Sequence, residues 1–224
     1  MPVLIYCGNG NPRLAQIAVD AGFRYGCQLP GRVTLEEPLY FADQDWKKPI
    51  RSAYMEALQK YRPTMATVLD WEQEDQLPEV LSWAEEAAQW VVSAVVIIPK
   101  VVGSIDRIPQ KIGGRDVVLG YSVPTKFGAT NVPCWEFAGR KVHLLGGSPH
   151  RQMREWQYLS CLADVVSADG NMSNLMATRC KYWEAGRWVA LKDEGGQNWG
   201  TGAPYEAFSR SCSNIYTAWG DKKR

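Results

Sequence analysis

The sequence predicts an α/β protein folded as a compact (β/α)8 barrel of the TIM type, followed by an irregular C-terminal extension rich in tryptophan and glycine. Two observations predict this fold. Eight short runs of β-branched, aliphatic or aromatic residues recur along the chain, and most are separated by segments long enough for a helix. Strands that alternate with helices form parallel sheets, and eight is the number of strands that closes a barrel. An open, doubly wound sheet is the alternative.

The predicted strands follow one another from the first residues to the last third of the chain. They are residues 3–7, 23–27, 39–42, 65–69, 95–98, 117–119, 142–145 and 164–167. Amphipathic spacing predicts helices at 14–21, 50–61 and 77–90, and Pro78 lies in the first turn of the third helix, where proline is tolerated. Between residues 119 and 142, prolines and glycines leave little room for a helix. This gap in the alternation of strands and helices is the reason why the open sheet remains an alternative.

The alternation of strands and helices stops near residue 181. We therefore assign residues 1–183 to a barrel domain and residues 184–224 to a C-terminal extension that packs on the barrel. The extension begins with an irregular, glycine-rich stretch and ends with a predicted helix at 203–219.

Composition and charge exclude several classes of protein. With 25 Lys and Arg against 24 Asp and Glu the net charge is +1, so binding of nucleic acid would have to come from a local patch. The six cysteines form no Cys-x-x-Cys pair, and with two histidines they give no spacing typical of a zinc site.

Neither a leader nor an apolar run of roughly 20 residues is present, which predicts a cytoplasmic protein without a membrane partner. No glycine motif typical of phosphate or dinucleotide binding occurs, so we expect no cofactor.

Acidic residues collect where the predicted strands end. Asp43 follows the third strand, Asp70 the fourth and Asp169 the eighth. In a barrel these ends meet on one face, where barrel enzymes place their chemistry. A single acid is explained by a turn or a helix cap, but acids at three strand ends favour a site. Such a cluster suits either a hard metal such as Mg²⁺ or acid–base and nucleophilic chemistry at the anomeric carbon of a sugar.

Glycines and a histidine also lie at or near the strand ends. Gly120 and Gly146 directly follow apolar strands, where a glycine either forms a tight turn or lets a flat ligand approach the backbone. His143 lies within an apolar strand, and we interpret it as a core residue without a catalytic role. Ser122 and Ser148 have no histidine at a recognisable motif spacing, which argues against a serine hydrolase.

In chain order, these strand ends resemble the tRNA-guanine transglycosylase superfamily, and in particular its divergent phage and bacterial members that insert 7-deazaguanines into DNA. Residues 41–46 (FADQDW) stand where that family carries its proton-transferring acid, and residues 68–72 (VLDWE) where it carries the aspartate that binds the purine edge. Residues 118–123 (VLGYSV) resemble its glycine-containing base-recognition loop, and residues 143–147 (HLLGG) resemble its Leu-Met-Gly strand end. Asp169 falls at the place of the nucleophile.

The resemblance implies a base exchange through a covalent enzyme–sugar intermediate. Asp169 would attack C1′ of a guanosine nucleotide while Asp43 transfers protons. The flat purine would be held by a carboxylate, by backbone groups at the two glycines, and between apolar or aromatic side chains. The residues expected to bind it are Asp70, Gly120, Tyr121, Leu145, Gly146, Trp46 and Lys100. An alternative alignment on Asp164 puts Ser167 rather than Asp169 at the place of the nucleophile.

The expected partners are a polynucleotide, with DNA favoured over tRNA, and a 7-deazaguanine base as co-substrate. Phosphate contacts are expected from basic residues, whose simpler interpretation is a solvated helix face. These residues are Lys126, Arg151, Arg154, Arg179 and Lys181. A homodimer or a partner protein is left open. Two other functions also suit the same sequence: a metal-dependent barrel hydrolase or lyase, and a non-catalytic subunit that binds nucleic acid.

Overall fold

In the computed structural model of the chain, eight parallel strands close into a barrel surrounded by helices. The structure describes residues 1–8, 10–125, 129–191 and 202–221. The strands are β1 (Val3–Cys7), β2 (Arg24–Leu29), β3 (Phe41–Gln44), β4 (Met65–Trp71), β5 (Ala94–Pro99), β6 (Lys111–Ile112), β7 (Arg115–Ser122), β8 (Lys141–Leu145), β9 (Asp164–Asp169), β10 (Lys181–Glu184) and β11 (Arg187–Ala190). The short β6 runs antiparallel to β7, and β10 with β11 forms a separate hairpin. The other eight strands form the barrel.

One long-range pairing decides between a barrel and an open sheet. Strands β1 to β5 are neighbours in chain order, and β7, β8 and β9 lead back to β1. The parallel pairing of β5 with β7, from Ala94 opposite Asp116 to Ile97 opposite Leu119, closes the ring. Each of the eight predicted strands overlaps one barrel strand. The predicted (β/α)8 barrel is therefore confirmed, and the open-sheet alternative is wrong.

Helices cover the outside of the barrel. They are α1 (Pro12–Asp20), α2 (Arg51–Tyr61), α3 (Leu77–Ala87), α4 (Pro149–Leu159), α5 (Met172–Ala177) and α6 (Ala203–Asp221). Helix α1 begins after Asn11, whose side-chain oxygen accepts from the N–H groups of Arg13 and Leu14 at 3.1 and 3.3 Å. Between β7 and β8, the described residues form only a short 3₁₀ helix, Cys134–Phe137, in agreement with the prediction for that segment. No helix among the described residues has both the length and the apolar character needed to span a membrane.

Apolar side chains fill most of the barrel interior. Alternation along each strand turns every second side chain inward. The inward-facing cluster consists of Ile5, Cys7, Phe41, Met65, Ala94, Val96, Ile98 and Val118. A second, larger apolar layer packs between the strands and the helices. Because side chains fill the barrel, a ligand site has to open at its mouth, where the loops after the strands meet.

The C-terminal helix completes the ring of helices. Helix α6 packs on α1, α5 and β10, and Phe208 meets Tyr6 of β1 edge to face, with 5.4 Å between the ring centroids. Phe208, Ile215 and Trp219 are buried against the barrel, and Phe208 and Ile215 each contribute about 1.5–3 kcal/mol by leaving water. The helix predicted at residues 203–219 is therefore present.

The stretch after residue 181, predicted to be irregular, contains the β10–β11 hairpin. Ala185 and Gly186 join the two strands with φ angles of 46° and 88°, the positive values that a tight two-residue hairpin turn requires. The prediction is wrong for these strands because Ala-Gly is a weaker turn pattern than Asn-Gly or Asp-Gly. The predicted domain boundary between residues 183 and 184 falls inside this hairpin.

Candidate active site at the barrel mouth

A cavity of about 290 Å³ opens at the carboxyl ends of the barrel strands. This volume is close to the lower end of small-molecule sites, roughly 300–1,000 Å³. Its lining comes from β3, β4, β5, β7, β8 and β9 and from the loops directly after them. Seven of the nine residues predicted to act on or bind the substrate line the cavity: Asp43, Trp46, Asp70, Lys100, Leu145, Gly146 and Asp169. The structure thus brings the three predicted acids together.

Asp43 projects into the barrel from the end of β3, on the same face as Phe41. The Thr67 hydroxyl accepts from the N–H of Gln44 at 2.7 Å, which leaves its own hydrogen for Asp43 Oδ1 at 3.1 Å. Burial raises the pKa of Asp43 to about 7; the Asp169 carboxylate adds to the rise, and the bond from Thr67 offsets part of it. At neutral pH this carboxyl group can therefore both donate and accept a proton.

A β-bulge turns Asp70 toward the cavity. On β5, one residue separates Val96 from Ile98, whereas two residues separate their partners Thr67 and Asp70 on β4. Thr67 faces the barrel interior, so a regular pleat would turn Asp70 outward. The extra residue in β4 restores the inward direction, which is a common use of bulges beside functional sites.

Asp70 is held by a lysine from the next strand. Lys100 Nζ lies 2.5 Å from Asp70 Oδ2 and 3.0 Å from Glu72 Oε1. Burial raises the pKa of Asp70, while its bond to the Lys100 ammonium lowers it. Lys100 binds Oδ2, and among the described residues Oδ1 has no hydrogen-bond partner, so it is the oxygen left to accept a hydrogen bond from a ligand.

A second bulge directs Asp169. On β9, Val165 and Ser167 flank the extra residue Val166, because their partners on β8 are adjacent to each other. As a result Ser167 and Asp169 both face the barrel interior. Asp169 lines the cavity with 12% of its side chain exposed, whereas Ser167 is 1% exposed and does not line it. Of the two alternatives for the nucleophile, only Asp169 can meet a ligand in this cavity.

Gln152 bridges the carboxyl ends of β8 and β9 beside Asp169. The Nε2 group of Gln152, on α4, donates to the carbonyl oxygen of Gly146 at 2.8 Å and to that of Asp169. The N–H of Gly146 donates in turn to Asp169 Oδ1 at 3.3 Å. Gly146 and Gly147 have φ angles of 66° and 81°, which glycine adopts without strain. Sequence reasoning missed Gln152, because a polar residue on an amphipathic helix gives no distinguishing pattern.

His143 lies directly behind Asp169. It is fully buried, and its ring packs on Phe41 with 4.9 Å between centroids. Its Nδ1 is 2.8 Å from Ser167 Oγ, and its Nε2 is 3.3 Å from Asp169 Oδ1. The sequence-based interpretation as a core residue agrees with this burial but missed the contact with Asp169. The pattern that could have revealed it is a polar residue on the inward face of an apolar strand, two positions before the cavity-lining Leu145.

Two predicted binding residues do not line the cavity. Tyr121 is on the outer face of β7, where its ring packs against Phe137 at 5.5 Å and its hydroxyl donates to Glu155 at 3.2 Å. Tyr121 was expected to bind the base, but its side chain faces away from the cavity. Gly120 faces inward but lies beneath the cavity: a Cβ at this position would be 2.6 Å from Ile98 Cγ1. Its role is to make room for packing, and its backbone does not line the cavity.

Of the five basic residues predicted to contact phosphate, two lie on the helix that follows β8. Arg151 and Arg154 are exposed on the first turns of α4, which follows β8, and Arg151 donates to the carbonyl oxygen of Pro124 at 2.8 Å. Arg179 and Lys181 follow α5 and do not line the cavity. Lys126 lies outside the residues that the structure describes.

The three acids at the mouth have different partners, and this difference sets what they can do. Asp43 is bonded to a hydroxyl, Asp70 to an ammonium group, and Asp169 to a backbone N–H beside an imidazole. Unequal surroundings of neighbouring carboxylates are what separate an acid–base residue from a nucleophile. In the part of the chain that the structure describes, no group of three or more His, Cys, Asp or Glu side chains is arranged to hold a metal ion.

Comparison with known proteins places most of the chain in one family. A family model described as "Family of unknown function (DUF6610)" matches residues 15–220, a range that contains all three acids and all of helix α6 except its last residue. No curated protein matches the chain.

Proposed function

The chain belongs to the DUF6610 family, and we propose that it is a guanine transglycosylase. It would exchange guanine in a polynucleotide, DNA in preference to tRNA, for a 7-deazaguanine base. The observation that carries the proposal is that one cavity is lined both by Asp169 and by Asp43, whose pKa is raised to about 7. A nucleophile beside a carboxyl group that gives and takes protons at neutral pH is the pair that exchange at a sugar carbon needs.

The proposed exchange has two balanced steps. In the first, a carboxylate oxygen of Asp169 forms a bond to C1′, the bond from C1′ to N9 of guanine breaks with its electron pair on the base, and Asp43 gives the base its proton. In the second, N9 of the incoming base bonds to C1′ as the ester bond to Asp169 breaks. Asp43 takes the proton that this nitrogen loses, so both acids return to their first state.

The lining of the cavity supports a flat, polar ligand. Leu145 lies on the wall of the cavity, and Trp46 lies at its rim with 60% of its surface exposed, so the two offer apolar and aromatic contacts to a base. Asp70 Oδ1 offers an acceptor to the N–H groups on the purine edge. The base would have to leave its stack to enter, a cost that is lowest for a single-stranded or mismatched nucleotide. Arg151 and Arg154, exposed on α4, offer contacts to the flanking phosphates.

The proposal is tested by following labelled guanine and labelled 7-deazaguanine into single-stranded DNA, duplex DNA and tRNA. We expect incorporation by the wild type, with DNA preferred, that is unaffected by a chelator. Asp169→Asn should reduce the rate by about 10³-fold or more, because it removes the nucleophile. The matched control is Asp164→Asn, the same substitution on an exposed residue at the opposite end of β9, which should exchange bases at the wild-type rate. Absence of incorporation into every polynucleotide, or full activity of Asp169→Asn, would contradict the proposal.

A further inference from the structure

We propose that His143 is a positioning residue that holds Asp169 for attack through its Nε2–H group, and that Ser167 fixes the tautomer of His143 that makes this contact. The role assigned to His143 rests on the proposed function, because it concerns the carboxylate that would attack the sugar.

The first argument is that the described residues contact Asp169 on one of its two oxygens. Its Oδ1 lies 3.3 Å from His143 Nε2 and 3.3 Å from the N–H of Gly146. Both contacts reach the same oxygen from the protein side, which leaves Oδ2 to approach a ligand. A carboxylate held in this way keeps one attacking oxygen in a fixed direction, and fixed geometry of this kind is worth a large factor in rate.

The second argument is that His143 Nε2 needs a partner. The atom is fully buried and has no hydrogen bond of good geometry among the described residues. A buried polar atom without a bond costs about 1–3 kcal/mol. The neighbouring oxygen at ionic contact distance is Asp169 Oδ1. A small rotation of that carboxyl group would complete the bond.

The third argument concerns the tautomer of His143. Among the described residues, Ser167 Oγ has two neighbours able to accept its hydrogen: Nδ1 of the ring at 2.8 Å and the sulfur of Met65 at 3.9 Å. A thioether sulfur is a weak acceptor, so the serine donates to Nδ1. Nδ1 then carries no hydrogen, so the ring hydrogen is on Nε2, which faces Asp169.

The three side chains reverse the order of a Ser-His-Asp hydrolase. In such a hydrolase the aspartate is buried and fixes the tautomer, while the serine is open to substrate. Here Ser167 is the buried member of the three, and Asp169 is the member that lines the cavity. The same residue types therefore support an attack by a carboxylate instead of a hydroxyl.

Two substitutions of His143 distinguish the contributions of its two ring nitrogens. The amide nitrogen of glutamine reaches the position of Nε2, whereas that of asparagine reaches the position of Nδ1. We expect His143→Gln to keep kcat within about 10-fold of wild type, and His143→Asn to lose about 10²-fold in kcat with KM unchanged. A structural role alone would lower both variants equally. Equal kcat values for the two variants would overturn the proposal.

A spectroscopic test does not depend on activity. The chain has two histidines, so ¹⁵N labelling of the rings gives two sets of signals, and His150→Asn identifies those of His143. We expect the wild-type ring to carry its hydrogen on Nε2, Asp169→Asn to shift the Nε2 signal, and Ser167→Ala to shift the Nδ1 signal. Asp164→Asn should shift neither.

The two tests distinguish failure of this proposal from failure of the proposed function. If the wild type exchanges no bases but the Nε2 signal responds to Asp169→Asn, the contact stands and the transglycosylase function is wrong. If the wild type exchanges bases but His143 carries its hydrogen on Nδ1, the function stands and the positioning role is wrong.

Discussion

The carboxyl group of Asp43 is largely withdrawn from water at the wall of the cavity, near a second carboxylate, and the resulting pKa of about 7 affects stability as well as chemistry. The unfolded chain releases the proton of Asp43 near pH 3.8, whereas the folded protein keeps it up to about pH 7. The stability contributed by the protonated form is therefore fully present below about pH 4. It is lost as the pH rises through 7.

We expect Asp43→Asn to abolish the fall in folding stability that Asp43 causes as the pH rises. The amide carries no charge, and it keeps an oxygen that accepts from the Thr67 hydroxyl. The full rise in pKa is worth at most about 4 kcal/mol, and water in the cavity reduces it, so the variant should exceed the wild type by about 1–3 kcal/mol at pH 8. At pH 4 the two should be nearly equal. Urea unfolding at a series of pH values measures the difference, with Asp164→Asn as the exposed control. A difference that does not grow between pH 4 and pH 8 would contradict the raised pKa of Asp43.

The sequence predicted which residues line the cavity wherever it predicted the end of the strand correctly. Asp43, Asp70 and Asp169 were found because each follows an apolar run, and all three line the cavity. Tyr121 was misplaced because the predicted strand ended at residue 119, whereas β7 continues to Ser122. Tyr121 is therefore still part of the pleat, on its outer face. Strand length, which depends on pairing with β5 and β8, is not fixed by the local sequence.

At the scale of single strands, two bulges direct the acids. An ideal pleat drawn through β4 or β9 turns Asp70 or Asp169 away from the barrel, since each strand has one residue too many. Sequence patterns do not reveal these extra residues, because a bulge depends on the partner strand as well as on its own residues. The acids were predicted to share one face from the rule on strand ends, not from the alternation of side chains.

The bulge in β9 predicts opposite effects for two deletions of one residue. Deleting Val166 removes the bulge and leaves Ser167 and Asp169 facing inward, so base exchange should stay within about 10-fold of wild type. Deleting Ala168 keeps the bulge and turns Asp169 outward, which should cost about 10²-fold or more. Circular dichroism verifies that both variants are folded. Equal activity of the two folded variants would show that the bulge does not direct Asp169.

At the scale of the whole molecule, barrel closure depends on contacts that are distant in sequence. The alternation of strands and helices predicted parallel units, but the pairing of β5 with β7 is what excludes an open sheet. Helix α6, near the C-terminus, packs beside the first helix and completes the outer ring. The description of the matched family names no activity, so the support for the transglycosylase proposal comes from the cavity and from the resemblance of the strand ends.

The most direct test of the central claim is the mass of the protein after incubation with a guanine-containing oligonucleotide and no free base, followed by denaturation and peptide mapping. We expect an adduct equal to the oligonucleotide less guanine, attached as an ester to Asp169 and absent from Asp169→Asn. An adduct on Ser167 or another residue would contradict the assignment of the nucleophile. Release of guanine without any covalent adduct would contradict the covalent mechanism.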